Sequence, residues 1–126
     1  MLFLGSVAIS IPSTYVLTNE NDTQTVREYI LEIATINNIN ANDFWLVAWG
    51  ESKLNLNAIG DSGKSYGLWQ IYLPQHFIGR ECALDLICST DYAVKLWKQD
   101  PRNWTCYREL KKIQNTNNCK FYDKIK

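Results

Sequence analysis

The sequence lacks a net charge, a histidine cluster and a CxxC pair, and each absence removes a class of function. Lysine plus arginine balance aspartate plus glutamate at 13 each, so overall electrostatics does not select nucleic acid as a partner. One histidine, His76, and four cysteines spaced six, eighteen and thirteen residues apart do not match zinc-ligand spacing. His76 has no partner at a useful spacing and reads as structural. Without CxxC, thioredoxin-like redox chemistry is not expected. Six Gly and three Pro exclude a collagen-like or linker-dominated chain, and no repeat or low-complexity stretch is visible.

What is present is a chain of 126 residues, 46% hydrophobic and 21% charged, enough for one domain with one core. Charge is uneven along it: Met1 to Asp61 carries two positive and seven negative residues, Ser62 to Lys126 eleven and six. The basic excess lies late, between Arg102 and Lys126, and suits either an anionic polymer or a solvated helix face. Cys82, Cys88, Cys106 and Cys119 form an even set in a short chain, which favours disulfides and an oxidising compartment over free thiols. Three pairings are open. The first nineteen residues carry no charge. They resemble a secretory or anchoring segment, but lack a basic start, are interrupted by Pro12 and fall short of a membrane span. A buried or free N-terminal arm fits equally. The expected organisation is an apolar segment over 1–20 and one domain over 21–126.

Helical periodicity begins after Asn21. Thr25 and Glu28 form a capping-box pattern, with Val26, Tyr29, Ile30, Ile33 and Ala34 on one face. Asn37, Asn38 and Asn40 break this helix, and a second is expected from Asn42 or Asp43 to about Ser52. A polar stretch from Leu54 to Tyr66 follows, with turn signals at Gly60 to Gly63; Leu68 to Tyr72 reads as a strand or a helical turn. Further helices are expected at Asp91–Gln99, capped by Ser89 or Thr90, and from Trp104 to Ile113, capped by Asn103. The expected fold is a small, mostly α domain of four helices joined by irregular loops.

Glu51 is out of pattern. It continues the apolar stripe Phe44, Val47, Ala48 and lies at the C-terminal end of its helix. Desolvation and the negative helix end both raise a carboxyl pKa there, which a general acid near neutral pH requires. The alternative is an exposed glutamate tied to Lys53. Trp45, Trp49, Tyr66 and Trp69, interleaved with Asn55, Asn57, Ser65 and Gln70, are the residue types of a carbohydrate groove, where rings stack on sugar faces. Core filling explains any one of them singly.

Ala48-Trp49-Gly50-Glu51-Ser52, Leu56-Asn57-Ala58 and the run from Gly60 through Gly67-Leu68-Trp69-Gln70-Ile71 resemble the signature of the lysozyme-like soluble lytic transglycosylases. The likeness is tight over residues 44–74 and looser through Asp91–Gln99. It implies a lysozyme-like fold with a cleft between helices and irregular loops, needing no metal or cofactor. The implied activity is a muramidase that cuts peptidoglycan glycan strands. It implies Glu51 as the catalytic acid/base, with Ser52, Tyr66, Gly67 and Gln70 as substrate-binding positions. Tyr107, within Cys106-Tyr107-Arg108-Glu109, is the nearest counterpart of a family tyrosine beside the acid, or else a core residue. Where animal c-type lysozymes place an aspartate before the tyrosine, this chain has Ser65; Tyr72 and Leu73 follow the Gln element where the family uses an acid. Gly60-Asp61 resembles the Gly-Asp of goose-type lysozymes, so Asp61 is a candidate water-positioning residue as well as a turn residue. The absent carboxylates favour lytic transglycosylation over hydrolysis. The expected partners are glycan strands, with no nucleic acid, no membrane insertion and a monomeric state, in an extracytoplasmic setting. Two readings from other classes are a non-catalytic glycan-binding module and a small secreted structural domain.

Overall fold

The computed structural model describes residues 22–112; the apolar N-terminal segment, Cys119 and the last lysines lie outside these. The described chain is mostly helical, with a small antiparallel sheet. Helix α1 spans Thr23–Ile36 and α2 spans Ala41–Ser52. Strands β1 (Ile59–Gly60), β2 (Ser65–Tyr66) and β3 (Ile71–Tyr72) follow, then α3 (Arg80–Ala83), α4 (Leu86–Gln99) and α5 (Thr105–Lys112). Short 3-10 turns fall at Asp61–Gly63, Leu73–Gln75 and Pro101–Asn103.

The four expected helices form, together with the short α3, which was not expected, and three of the four start upstream of the expected residue, at other caps. Asp22 caps α1 by accepting from the Gln24 N–H, so the helix begins two residues before Thr25, whose hydroxyl donates to the same aspartate. Asn40, not Asn42 or Asp43, caps α2. Asp85 caps α4 by accepting from the Cys88 N–H, so this helix starts at Leu86, five residues before the expected start at Asp91 with its cap at Ser89 or Thr90. Ser89 and Thr90 are therefore fully buried inside the helix rather than at its end. A carboxylate at the helix start also meets the positive end of the helix dipole, which a hydroxyl does not. Pro101 and Asn103 form a separate turn, and α5 begins only at Thr105. On α5 the inward positions are Cys106 and Glu109, with Tyr107 and Leu110 at the margin.

Helix α2 runs through the centre of the core. Phe44, Val47 and Ala48 are fully buried on it, and Phe44 meets Trp69 and Trp97 at centroid separations of 4.4 and 5.0 Å. Trp104 completes the cluster, 5.9 Å from Trp69 and 5.7 Å from Trp97. Trp69 is thus a core residue, not a groove wall. Lys111 on α5 forms a 2.7 Å ion pair with Asp43, helping to lay α5 along α2.

The sheet was not expected as such. Its order is β1-β2-β3, with Gly60 opposite Ser65, Ser65 opposite Tyr72, and Tyr66 between Ile59 and Ile71. Two-residue strands leave no alternation to read, so only the turn residues around them are visible in sequence.

Cys82 on α3 and Cys88 in the first turn of α4 form a disulfide. Cys106 is disulfide-bonded as well. Closing so short a loop as Cys82–Cys88 is worth about 2 kcal/mol in the chain-entropy account. Reducing this bond is expected to lower the melting temperature while leaving the helical circular dichroism at 20 °C in place, which a thermal melt with and without reductant checks.

Candidate active site

Two left-handed residues, Lys53 (φ 56°) and Leu54 (φ 62°), end α2 directly after Ser52. Leu54 is buried, so the chain turns back under the helix and leaves Glu51 in its last turn. The Ser52 hydroxyl donates to the Leu68 carbonyl at 2.8 Å, clipping the helix end to the turn that follows β2. That turn is pinned from several sides. The Trp104 indole donates to the Trp69 carbonyl at 2.9 Å, and the Trp69 indole donates to the Thr90 hydroxyl at 3.1 Å. The Gln70 amide donates to the Gly67 carbonyl at 2.9 Å and the Ala58 carbonyl at 3.2 Å.

Gly67 is at φ 84°, and a Cβ placed there would lie 1.9 Å from the Ala83 carbonyl oxygen. Its lack of a side chain lets α3 pack against the turn. At Gly60, a Cβ would meet the Gln70 Oε1 at 2.4 Å, so this glycine lets the glutamine side chain lie across β1.

Between the end of α2, the sheet and the start of α5 lies an open hollow of about 400 Å³. Glu51, Asp61, Ser65 and Gln70 line it together with Tyr72, Asn103, Trp104 and Thr105. Glu51, Asp61 and Gln70, distant in sequence, therefore share one site. A smaller hollow of about 130 Å³ shares Gln70, Tyr72, Asn103 and Trp104 with it and continues to His76. His76 bonds the Tyr92 hydroxyl at 2.7 Å, and burial holds its pKa below the usual value.

Burial raises the Glu51 carboxyl from 4.5 to about 7. The Cys106 backbone N–H, 3.5 Å from Oε2, opposes this; Asp61 adds to it, and the Arg108 guanidinium again opposes. Desolvation is the largest cause, so the acid owes its proton chiefly to its place on the apolar stripe. Arg108 is itself held by the Thr105 hydroxyl and the Arg102 carbonyl.

The other expected site residues stand behind or beside this hollow. Ser52 is committed to the backbone bond just described. Tyr66 is buried, with the Arg80 guanidinium 4.9 Å from its ring centroid. Tyr107 packs edge-on against Trp97 at 5.1 Å, with Lys111 on its ring. Trp45 and Trp49 line a different hollow with Arg27, away from Glu51. Asn103 and Thr105 were missed as site residues because a cap-type Asn and a Thr at a helix start carry no further signal in sequence. Among the described residues, no group of three or more His, Cys, Asp or Glu is arranged to hold a metal ion.

No family model, curated protein or solved structure matches this chain.

Proposed function

We propose that this chain is a lysozyme-like muramidase that cuts peptidoglycan between N-acetylmuramic acid and N-acetylglucosamine. Support comes first from Glu51: a carboxyl raised to about 7, lining a polar hollow wide enough for a sugar. The sequence likeness to lytic transglycosylases over 44–74 supplies the substrate class. In this reading Glu51 donates its proton to the glycosidic oxygen as the C1–O bond breaks. As carboxylate it then removes the proton of the muramic acid 6-hydroxyl, which closes on C1 to give a 1,6-anhydro end. A tethered hydroxyl has the advantage of proximity over water. Gln70, Tyr72 and Asn103 are the side chains placed to contact sugar hydroxyls and acetamido groups. Ser52 and Gly67 act through the shape of the turn. The Cys82–Cys88 disulfide and the uncharged first nineteen residues support an extracytoplasmic setting. No described helix is long and apolar enough to cross a membrane. We take the protein to act as a monomer on glycan strands without cofactor.

The deciding measurement is mass analysis of fragments released from purified peptidoglycan: anhydro-ended muropeptides are expected. Hydrolysis is the second reading, favoured by Asp61 in the same hollow as Glu51. Mainly reducing-ended products, lost in Asp61→Asn, would establish it. Rate should also follow the protonated acid. It is expected to hold below the Glu51 value of about 7 and to fall above it, by about tenfold per pH unit, in a pH–rate profile.

A further inference from the structure

Asp61 and Ser62 both have left-handed backbone, φ 50° and 57°, without being glycine. Such a conformation persists only where the surroundings impose it. Here the Lys64 N–H donates to the Gly60 and Asp61 carbonyls at 3.0 and 3.2 Å, and the Leu73 N–H donates to the Lys64 carbonyl at 3.0 Å. The turn so closed carries Asp61 to the wall of the Glu51 hollow.

Its carboxylate is held there by one side-chain bond, from the Ser65 hydroxyl to Oδ2. The two residues differ sharply in freedom: Asp61 is exposed, while Ser65 is 1% exposed and its backbone is paired with both neighbouring strands. The donor is therefore fixed and the acceptor is not. An exposed aspartate facing another carboxylate across a hollow would turn toward water, where hydration is better and repulsion less. The buried hydroxyl opposes that turn.

We propose that Ser65 is a positioning residue, whose hydroxyl holds the Asp61 carboxylate on the wall of the hollow that it shares with Glu51. The catalytic meaning of this pair rests on the muramidase reading; the positional claim does not. The groups facing Glu51 are Arg108 and the Cys106 amide from α5, and Asp61 from the turn, with Tyr72 of β3 on the shared wall. Only Asp61 among them carries a charge that favours the protonated acid.

The test is a carbon-detected NMR titration of the Glu51 carboxyl in the full chain at low ionic strength, where screening of an exposed charge is least. Wild type, Asp61→Asn, Ser65→Ala and the double variant are compared. Asp61→Asn should shift the Glu51 midpoint down from about 7. Ser65→Ala should shift it the same way by no more, and the double variant should coincide with Asp61→Asn. Should Ser65→Ala not fold, Ser65→Cys, with a weak donor of similar size, replaces it. A Ser65 variant at the wild-type midpoint, an unshifted Asp61→Asn, or a double variant below Asp61→Asn overturns the proposal. Fragment release measured on the same samples separates the two readings. The expected titrations in a wild-type protein that releases nothing uphold the Ser65 role and overturn the muramidase.

Discussion

Glu51→Gln is expected to remove fragment release, by roughly 10²–10⁴-fold, while the protein still sediments with insoluble peptidoglycan. The amide keeps the size and the hydrogen-bonding shape of the side chain, and the Cys106 N–H still finds an oxygen. Only the transferable proton is gone. The same variant has a second expected effect, on stability, with the sign set by the raised carboxyl. In the unfolded chain Glu51 titrates at its ordinary 4.5, in the folded chain at about 7. Below the lower value it is neutral in both states, and nothing is lost on folding. Between the two values the folded chain must take up a proton that the unfolded chain has released, so wild-type stability falls over that interval and levels off above the upper value, where folding buries a charge instead. The glutamine variant has no such charge. It is expected to match wild type near pH 4 and to exceed it at pH 8 by up to ~3 kcal/mol. Denaturant melts at both values measure this. Loss of release together with gain of alkaline stability distinguishes a buried working acid from a residue that merely holds the fold, whose removal would cost stability at every pH. A binding-only module would instead show unchanged sedimentation with no release to lose.

Gly67→Ala is expected to lower stability by about 2–5 kcal/mol, more than removal of any surface contact in the molecule. The methyl group would lie 1.9 Å from the Ala83 carbonyl oxygen and 2.9 Å from its carbon, on a backbone already at φ 84°. Backbone cannot swing aside as a flexible side chain can, so either the turn or α3 must move. Because the turn also carries the Ser52, Trp104 and Gln70 bonds, displacement there disturbs the hollow too. Gly63→Ala serves as the control: it has positive φ as well, at 86°, but nothing within 4 Å of the added carbon. Its loss should be confined to the conformational cost, on the order of 1 kcal/mol. Urea melts of the two variants separate close approach from backbone preference. Equal losses would mean that α3 yields easily and that Gly67 is there for its φ alone.

The apolar stripe of α2 and the anomaly of Glu51 were legible in the sequence because both follow from a single helix with a 3.6-residue period. Phe44, Val47 and Ala48 are buried, and the acid that continues their stripe has the raised carboxyl that burial predicts. The Asn-rich break after α1 was readable for a similar reason, since its signal is local: Asn37 ends one helix and Asn40 caps the next. The starts of α1 and α4 were read too late where a hydroxyl competed with an upstream aspartate, and that of α2 where Asn42 and Asp43 competed with Asn40. The end of α2 had no glycine to announce the left-handed pair Lys53 and Leu54.

The sequence by itself determined a small, mostly α chain, a carboxyl at the end of an apolar helix stripe, and an even set of cysteines suited to disulfides. These depend on period, composition and local capping, which neighbouring residues carry. The tertiary structure alone decided which residues meet Glu51. Trp69 looked like a groove ring and became core, because its indole is claimed by Thr90 and its carbonyl by Trp104. Tyr107 fitted either a place beside the acid or the core, and it packs on Trp97, while α5 presents the Cys106 N–H to Glu51. Ser65 stands where the resemblance left a carboxylate absent, and its hydroxyl donates to the Asp61 carboxylate. Each of these outcomes depends on contacts between residues far apart in the chain, whose packing no local pattern encodes.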